Sequence, residues 1–206
     1  MIIATLLLSL FSYLLGSVPV GYLVVRRKVG VDLRSVGSGS TGATNAARAI
    51  KAERGERQAV CGFYLILALD MLKGALPVLA ARLLWPGVWW LSAVAAAAVA
   101  IGHSHSLFLR FKGGKSVAVG FGITLVLCPL AGLCTFALWF LVAHFSHYVS
   151  LGSMVAFAAA PLLVWLFGAP VGYVATEVLL GLYIIVLHHR NIGRLLAGCE
   201  NKTDWI

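Results

Sequence analysis

Charge is scarce in this sequence. Only 11% of its 206 residues are Asp, Glu, Lys or Arg, where a soluble domain carries about 25%. Acidic residues are scarcer still, seven against sixteen Lys+Arg, which leaves a formal net charge of +9 with neutral His. So little charge argues against a soluble globular enzyme, a coiled coil and a disordered chain, and nucleic acid is a poor partner for so apolar a chain. The four cysteines (Cys61, Cys128, Cys134, Cys199) form no CxxC pair and no Cys/His cluster at zinc-finger spacing, so they read as small apolar fillers. No basic residue precedes the apolar run 2–25, and Arg26-Arg27-Lys28 follows it. That polarity is wrong for a cleavable signal peptide and right for a retained first helix with a cytoplasmic C-terminal end. Low-complexity linkers and clear internal repeats are absent too, so residues 1–206 read as a single membrane-embedded domain.

What the chain has is hydrophobicity: 61% of its residues are apolar, with a mean hydropathy of +0.95. The apolar segments are 2–25, 59–84, 87–109, 117–145, 149–168 and 171–187, and one helical crossing takes about 20 residues. Eight of the sixteen basic residues lie between 25 and 59, three (Arg110, Lys112, Lys115) between the third and fourth segments, and three (Arg190, Arg194, Lys202) in the tail. The positive-inside rule places all three regions in the cytoplasm. Six spans would leave the basic C-terminus outside. Segment 117–145 is long for one span and carries Cys128-Pro129 near its middle, where proline breaks a helix. Splitting it predicts an all-α integral membrane protein of about seven short, tilted helices, N-terminus outside and C-terminus cytoplasmic. The opposite face then holds Arg82 and an interfacial belt of Trp85, Trp89 and Trp90.

Three polar motifs fall on the basic face. Residues 37–48, GSGSTGATNAAR, contain GxGxxG, but no β-rich strand precedes it and no acidic residue follows about 20 positions later, so dinucleotide binding is rejected. A glycine turn feeding a short helix over 44–50 still presents backbone N–H groups to an anion. Asn45 and Arg48 share a helical face at i, i+3, and Arg48 suits a phosphate. A flexible solvated loop has the same composition, and the local sequence does not choose between the two. Residues 111–116, FKGGKS, lack the first P-loop glycine, which disfavours ATP, yet Gly113-Gly114 between Lys112 and Lys115 form a phosphate nest. Residues 188–194, HHRNIGR, place His188 and Asn191 on one face, either as a site or as a polar helix end complementing the dipole. His103 and His105 diverge by about 200° on a helix and have no carboxylate beside them in sequence, so no metal site is expected. Asp70 and Lys73 stand at i, i+3 inside a span, where an unpaired charge costs at least about 2.5–3.5 kcal/mol; they are expected to pair with each other or with a neighbouring helix, a structural pair being favoured over a proton relay or substrate contact. Glu177 has no evident partner.

GSGSTGATNAAR, DMLKG, GHSHSLFLRFKGGKSVA and HHRNIGRL, in this order from about Gly16 to Lys202, resemble the bacterial acyl-phosphate:glycerol-3-phosphate acyltransferase family. The resemblance implies a seven-helix enzyme of the bacterial plasma (inner) membrane with its site facing the cytoplasm. It implies acyl transfer from acyl phosphate to the sn-1 hydroxyl of glycerol 3-phosphate, giving lysophosphatidic acid and phosphate. No cofactor, coenzyme A, acyl carrier protein or metal is implied. Carried over by motif, phosphate and substrate binding fall to Ser38, Gly39, Thr41, Gly42, Asn45, Lys112, Gly113, Gly114, Ser150 and Ser153, and catalysis to Arg48, Lys115, His188 and Asn191. The chain departs from the family pattern at Ser40, Ser106, Ser116 and His147, which bears on loop geometry.

No HxxxxD and no GxSxG occurs, so neither an acid–base dyad nor a nucleophile elbow is available. The expected chemistry is direct attack by the hydroxyl, oriented by His188 and Asn191, with its proton passing to His188 or to a substrate phosphate. The rival class is a transporter or channel for an organic phosphate. Transporters usually bind near the midplane within repeats, whereas here the polar motifs gather at one interface.

Overall fold

The computed structural model describes residues 1–203 and is all-helical. Its elements are α1 (Ile2–Ser17), α2 (Val20–Val29), α3 (Ala43–Arg54), α4 (Glu56–Leu84), α5 (Trp89–Ser104), α6 (Val117–Leu127), α7 (Pro129–Ser146), α8 (Val149–Leu166), α9 (Val171–Leu187) and α10 (His189–Leu196), with two single 3₁₀ turns in the loops.

Five stretches are long and apolar enough to cross a bilayer, and a sixth if α9 and α10, bent by 58° at His188, count as one. The remaining apolar element is α6. Its 11 residues rise about 16 Å, roughly half the ~30 Å hydrocarbon core. It is buried along most of its length among the other helices. The expected break falls at Cys128-Pro129: α6 stops at Leu127, Cys128 is extended, and Pro129 opens α7. Proline is tolerated there because the first amide of a helix has no internal acceptor. Carbonyls at the end of α6 consequently lack helical donors, and the Arg82 guanidinium donates to Val126 O while lying 5.6 Å from the Tyr173 ring centroid. The first apolar run is not one straight helix. Val18-Pro19 separates α1 from α2, and the amphipathic α3 extends from Ala43 to Arg54, beyond the short helix expected over 44–50.

Without a strong hydrophobic drive between helices in lipid, close packing decides the arrangement. Helix α1 lies against α5, α4 against α6, and α8 between α7 and α9. Small residues set the crossings: a side chain at Gly16 would overlap Val99 O, and one at Gly102 would overlap Tyr13 O. On α4 and α6, Gly74 faces the Val119 carbonyl and Gly122 faces the Met71 carbonyl. An aromatic cluster of Phe63, Phe121, Phe136, Trp139 and Phe157 fills the space between α4, α6, α7 and α8. The paired-charge expectation holds, since Lys73 Nζ lies 2.8 Å from Asp70 Oδ1 with both side chains buried. Glu177 is fully buried beside Thr124, whose own hydroxyl proton goes to Gly120 O (2.9 Å).

The Gly122→Ala variant forces the α4–α6 crossing apart and should lower stability by about 1–3 kcal/mol. Gly193→Ala on α10 meets nothing within 4 Å and should be neutral or slightly stabilising. Thermal unfolding of both purified variants in detergent checks the contrast.

Candidate active site

The first glycine loop is shaped by one side chain. Gly37 and Gly39 adopt left-handed φ values of 56° and 69°. The Asn45 amide accepts from Ser38 N (3.0 Å) and donates to Val36 O (3.0 Å) and Ser40 O (2.9 Å). Asn45 therefore lines the cavity as the clamp of the loop, with its amide already engaged rather than open to a ligand. Ser38, Ser40 and Thr44 stand with it in the cavity wall at the N-terminus of α3, where free amides and the helix dipole favour an anion.

The second glycine loop is held from beneath. Gly114 N donates to His103 O (3.0 Å), and Gly113 O accepts from Thr41 N (3.4 Å), which stitches the two loops together. Neither glycine has room for a side chain: Gly113 sits on the His103 carbonyl and Gly114 against His103 Nε2. Two of the departures from the family pattern take part. Ser116 Oγ donates to Ala100 O (2.8 Å), and Ser106 Oγ donates to Ser17 O (2.5 Å). This loop delivers Lys115 into the cavity, where burial pushes its ammonium down to about 8. Lys112 instead points out and is exposed.

The third motif sits at the α9–α10 bend. His188 is buried, and its Nδ1 lies 2.8 Å from Ile184 O. A carbonyl only accepts, so Nδ1 carries the proton and Nε2 presents a lone pair. Asn191 donates from Nδ2 to Glu200 Oε1 (2.6 Å), while its Oδ1 is buried without a donor among the described residues.

Glu200 ties the tail to α8 and α10. Its carboxylate accepts from Ser150 of α8 (2.9 Å), Asn191 (2.6 Å) and Arg194 Nε of α10 (2.5 Å). Burial alone would raise this carboxyl, but the bonds from Arg194, Asn191 and Ser150 hold it below its ordinary value. The same tail reaches Arg48, whose Nη2 donates to Thr203 Oγ1 (3.1 Å) and Asn201 O (3.3 Å). Burial lowers the Arg48 guanidinium too, partly countered by the Glu200 carboxylate, yet an arginine stays charged.

Of the residues expected from sequence, Ser38, Gly42, Asn45, Arg48, Lys115, Ser150, Ser153, His188 and Asn191 line one cavity, open on one side. Gly39, Thr41, Lys112, Gly113 and Gly114 do not line it; apart from Lys112 they shape the loops that do. The protons of Ser150 and Ser153 are already given, to Glu200 and to Val149 O (2.8 Å). Sequence reasoning missed Glu200 and His103 as cavity residues, and also the apolar wall of Phe63, Leu67, Phe121 and Trp139; Arg194 of the third motif and Asp70 line the cavity too.

The architecture is that of an integral membrane protein whose cavity is cationic at one end and aromatic at the other. The glycerol-3-phosphate acyltransferase family matches residues 6–198, and the chain belongs to that family. It is 46% identical over 200 residues to a glycerol-3-phosphate acyltransferase of Synechococcus sp. (strain JA-3-3Ab), covering 97% of this chain and 94% of that one. To the protein of the same description from Rubrobacter xylanophilus it is 47% identical over 197 residues, covering 95% and 94%. Its fold matches the crystal structure of PlsY (YgiH), an integral membrane glycerol 3-phosphate acyltransferase, in the glycerol 3-phosphate form, with a TM-score of 0.87 and 38% identity over 97% of this chain and 96% of that one. The lysophosphatidic acid form of the same enzyme matches with a TM-score of 0.85 and 34% identity over 98% and 96%.

Glu200→Gln keeps the shape of the tie but removes its charge. Unfolding in detergent should show a loss of about 1.5–3 kcal/mol, the range for hydrogen bonds to a charged group. An unchanged melt would deny the tie its structural weight.

Proposed function

We propose that this glycerol-3-phosphate acyltransferase takes its acyl group from acyl phosphate, without coenzyme A or acyl carrier protein, and releases lysophosphatidic acid and inorganic phosphate. The observation that carries this reading is the pairing of Arg48 and Lys115 in one cavity. Arg48 comes from α3 and Lys115 from the loop before α6, close enough that the Arg48 guanidinium adds to burial in lowering the Lys115 ammonium. A donor and an acceptor that both carry phosphate need such a doubled cationic end. The N-terminus of α3, with Ser38, Ser40 and Thr44, adds donors to it.

The reaction needs no covalent intermediate. The sn-1 hydroxyl oxygen of glycerol 3-phosphate attacks the acyl carbonyl carbon, and the acyl C–O bond to phosphate breaks with its electron pair leaving on the phosphate oxygen. Arg48 and Lys115 neutralise the charge that develops on that leaving group, which lowers the barrier because they are already in place and poorly solvated. His188 Nε2 and Asn191 Oδ1 are free acceptors three residues apart and hold the attacking hydroxyl. Its proton passes to Nε2 or to a phosphate oxygen. The aromatic wall of Phe63, Phe121 and Trp139 suits the acyl chain. The basic loops support a topology of seven membrane segments with the N-terminus outside and the C-terminus cytoplasmic, the short α6 counted as one. The cavity then opens to the cytoplasm from a bacterial inner membrane.

Purified protein in detergent, given acyl phosphate and glycerol 3-phosphate, should release phosphate and form lysophosphatidic acid in equal amounts. Turnover with acyl-coenzyme A and none with acyl phosphate would overturn the donor assignment. A pH series gives a second check. Lys115 is charged below about 8 and loses its charge as pH rises through that value, so KM for glycerol 3-phosphate should climb between about pH 7.5 and 9.5. In Lys115→Arg that climb should disappear, since a guanidinium does not titrate there.

A further inference from the structure

The catalytic scheme leaves Asp70 unused. On α4, Phe63, Leu67 and Asp70 stand at i, i+4 and i+7, hence on one face, and all three line the cavity. The carboxylate is 1% exposed. Its balancing cation, Lys73 Nζ, is 2.8 Å from Oδ1 and also donates to Val18 O at 2.8 Å. His103 Nδ1 is 3.8 Å from the same oxygen, beyond hydrogen-bond reach. A carboxylate has about four acceptor sites, more than the single ammonium at Oδ1 fills.

A ligand that fills the cavity can supply a further donor. Phosphate cannot, because it brings more acceptors and more negative charge. A hydroxyl can. Glycerol 3-phosphate carries two, one consumed by acyl transfer and one left over. The cavity offers few acceptors to hold them: Glu200 is saturated by Ser150, Asn191 and Arg194, while His188 and Asn191 serve the attacking hydroxyl on the opposite motif.

We propose that Asp70 is a specificity-determining residue that accepts a hydrogen bond from the second, non-acylated hydroxyl of glycerol 3-phosphate. This rests on the reading that glycerol 3-phosphate occupies the cavity. The Lys73 ammonium at 2.8 Å balances the Asp70 carboxylate, so that the pair attracts a hydroxyl without repelling the phosphate at the other end. The arrangement selects a phosphorylated diol over a phosphorylated simple alcohol, since a site built to bond a hydroxyl penalises a substrate lacking it.

The test compares glycerol 3-phosphate with 3-hydroxypropyl phosphate, which lacks the middle hydroxyl, using acyl phosphate as donor. The wild-type enzyme should favour glycerol 3-phosphate in kcat/KM by roughly 10–100-fold. Asp70→Asn keeps the shape, and the paired variant Asp70→Leu/Lys73→Met leaves no lone buried charge. In both, kcat/KM for glycerol 3-phosphate should fall towards that of the deoxy substrate, while the deoxy substrate changes by less than about threefold. Parallel loss for the two substrates would make Asp70 a purely structural residue and overturn the proposal, as would a wild type that does not discriminate. A wild type inactive towards both substrates would instead overturn the acyl-phosphate reading, and this proposal with it.

Discussion

Lipid offers a backbone no hydrogen bonds, so a membrane chain exposes polar groups only where helices end, break or face a protein-lined cavity. This constraint organises the whole molecule. Each functional group belongs to such a place: Arg48 in the short α3, Lys115 between α5 and α6, His188 and Asn191 at the α9–α10 bend. The glycines that let two carbonyl-lined helices touch, as at Gly74 and Gly122, pull these ends close enough to share one cavity. Shortness is part of the same solution, because α6 starts only at the second glycine loop, where Val117 lines the cavity next to Lys115 of the loop itself.

The polar network then acts as a frame around a few open groups. Asn45, Ser116, Ser106, Ser150 and Glu200 all have their hydrogen bonds made inside the protein. Their satisfaction removes flexibility from the loops. The groups left open differ by kind: cations and hydroxyls near the N-terminus of α3, a lone pair on His188, and carbonyl or carboxylate oxygens on Asn191 and Asp70. Donors at one end and acceptors elsewhere match a phosphorylated polyol, and the aromatic wall continues the cavity with an apolar surface. A single preorganised site can therefore hold a charged head, a reacting hydroxyl and an acyl chain together.

Much of the fold was legible beforehand. The proline break at Cys128-Pro129 followed from the missing amide, and the Asp70–Lys73 pair from the cost of a lone charge in a span. Helix α3 was visible as a short continuation of the glycine loop, though its full extent and its packing against α4 were not. The motif residues were mostly found as cavity residues, because glycine turns and cations next to membrane helices are unusual without a ligand. Their individual tasks were less visible. Asn45 and Arg48 share a helical face, yet one clamps the loop and the other faces the cavity. Lys112 and Lys115 flank the same glycine pair, yet only Lys115 turns inwards.

The sequence by itself determined the membrane character, the helix break at Cys128-Pro129 and the gathering of basic residues beside glycine turns. These follow from local composition and from bonds between near neighbours in the chain. Tertiary structure alone decided that α6 is a buried half-length helix, that Glu200 reaches back to Ser150 of α8, and that Asp70 looks into the cavity beside His103. Those outcomes depend on residues separated by tens of positions, and on which face of a uniformly apolar helix turns inwards. With apolar residues on every side, periodicity carries no signal for that choice, and only packing against small residues settles it.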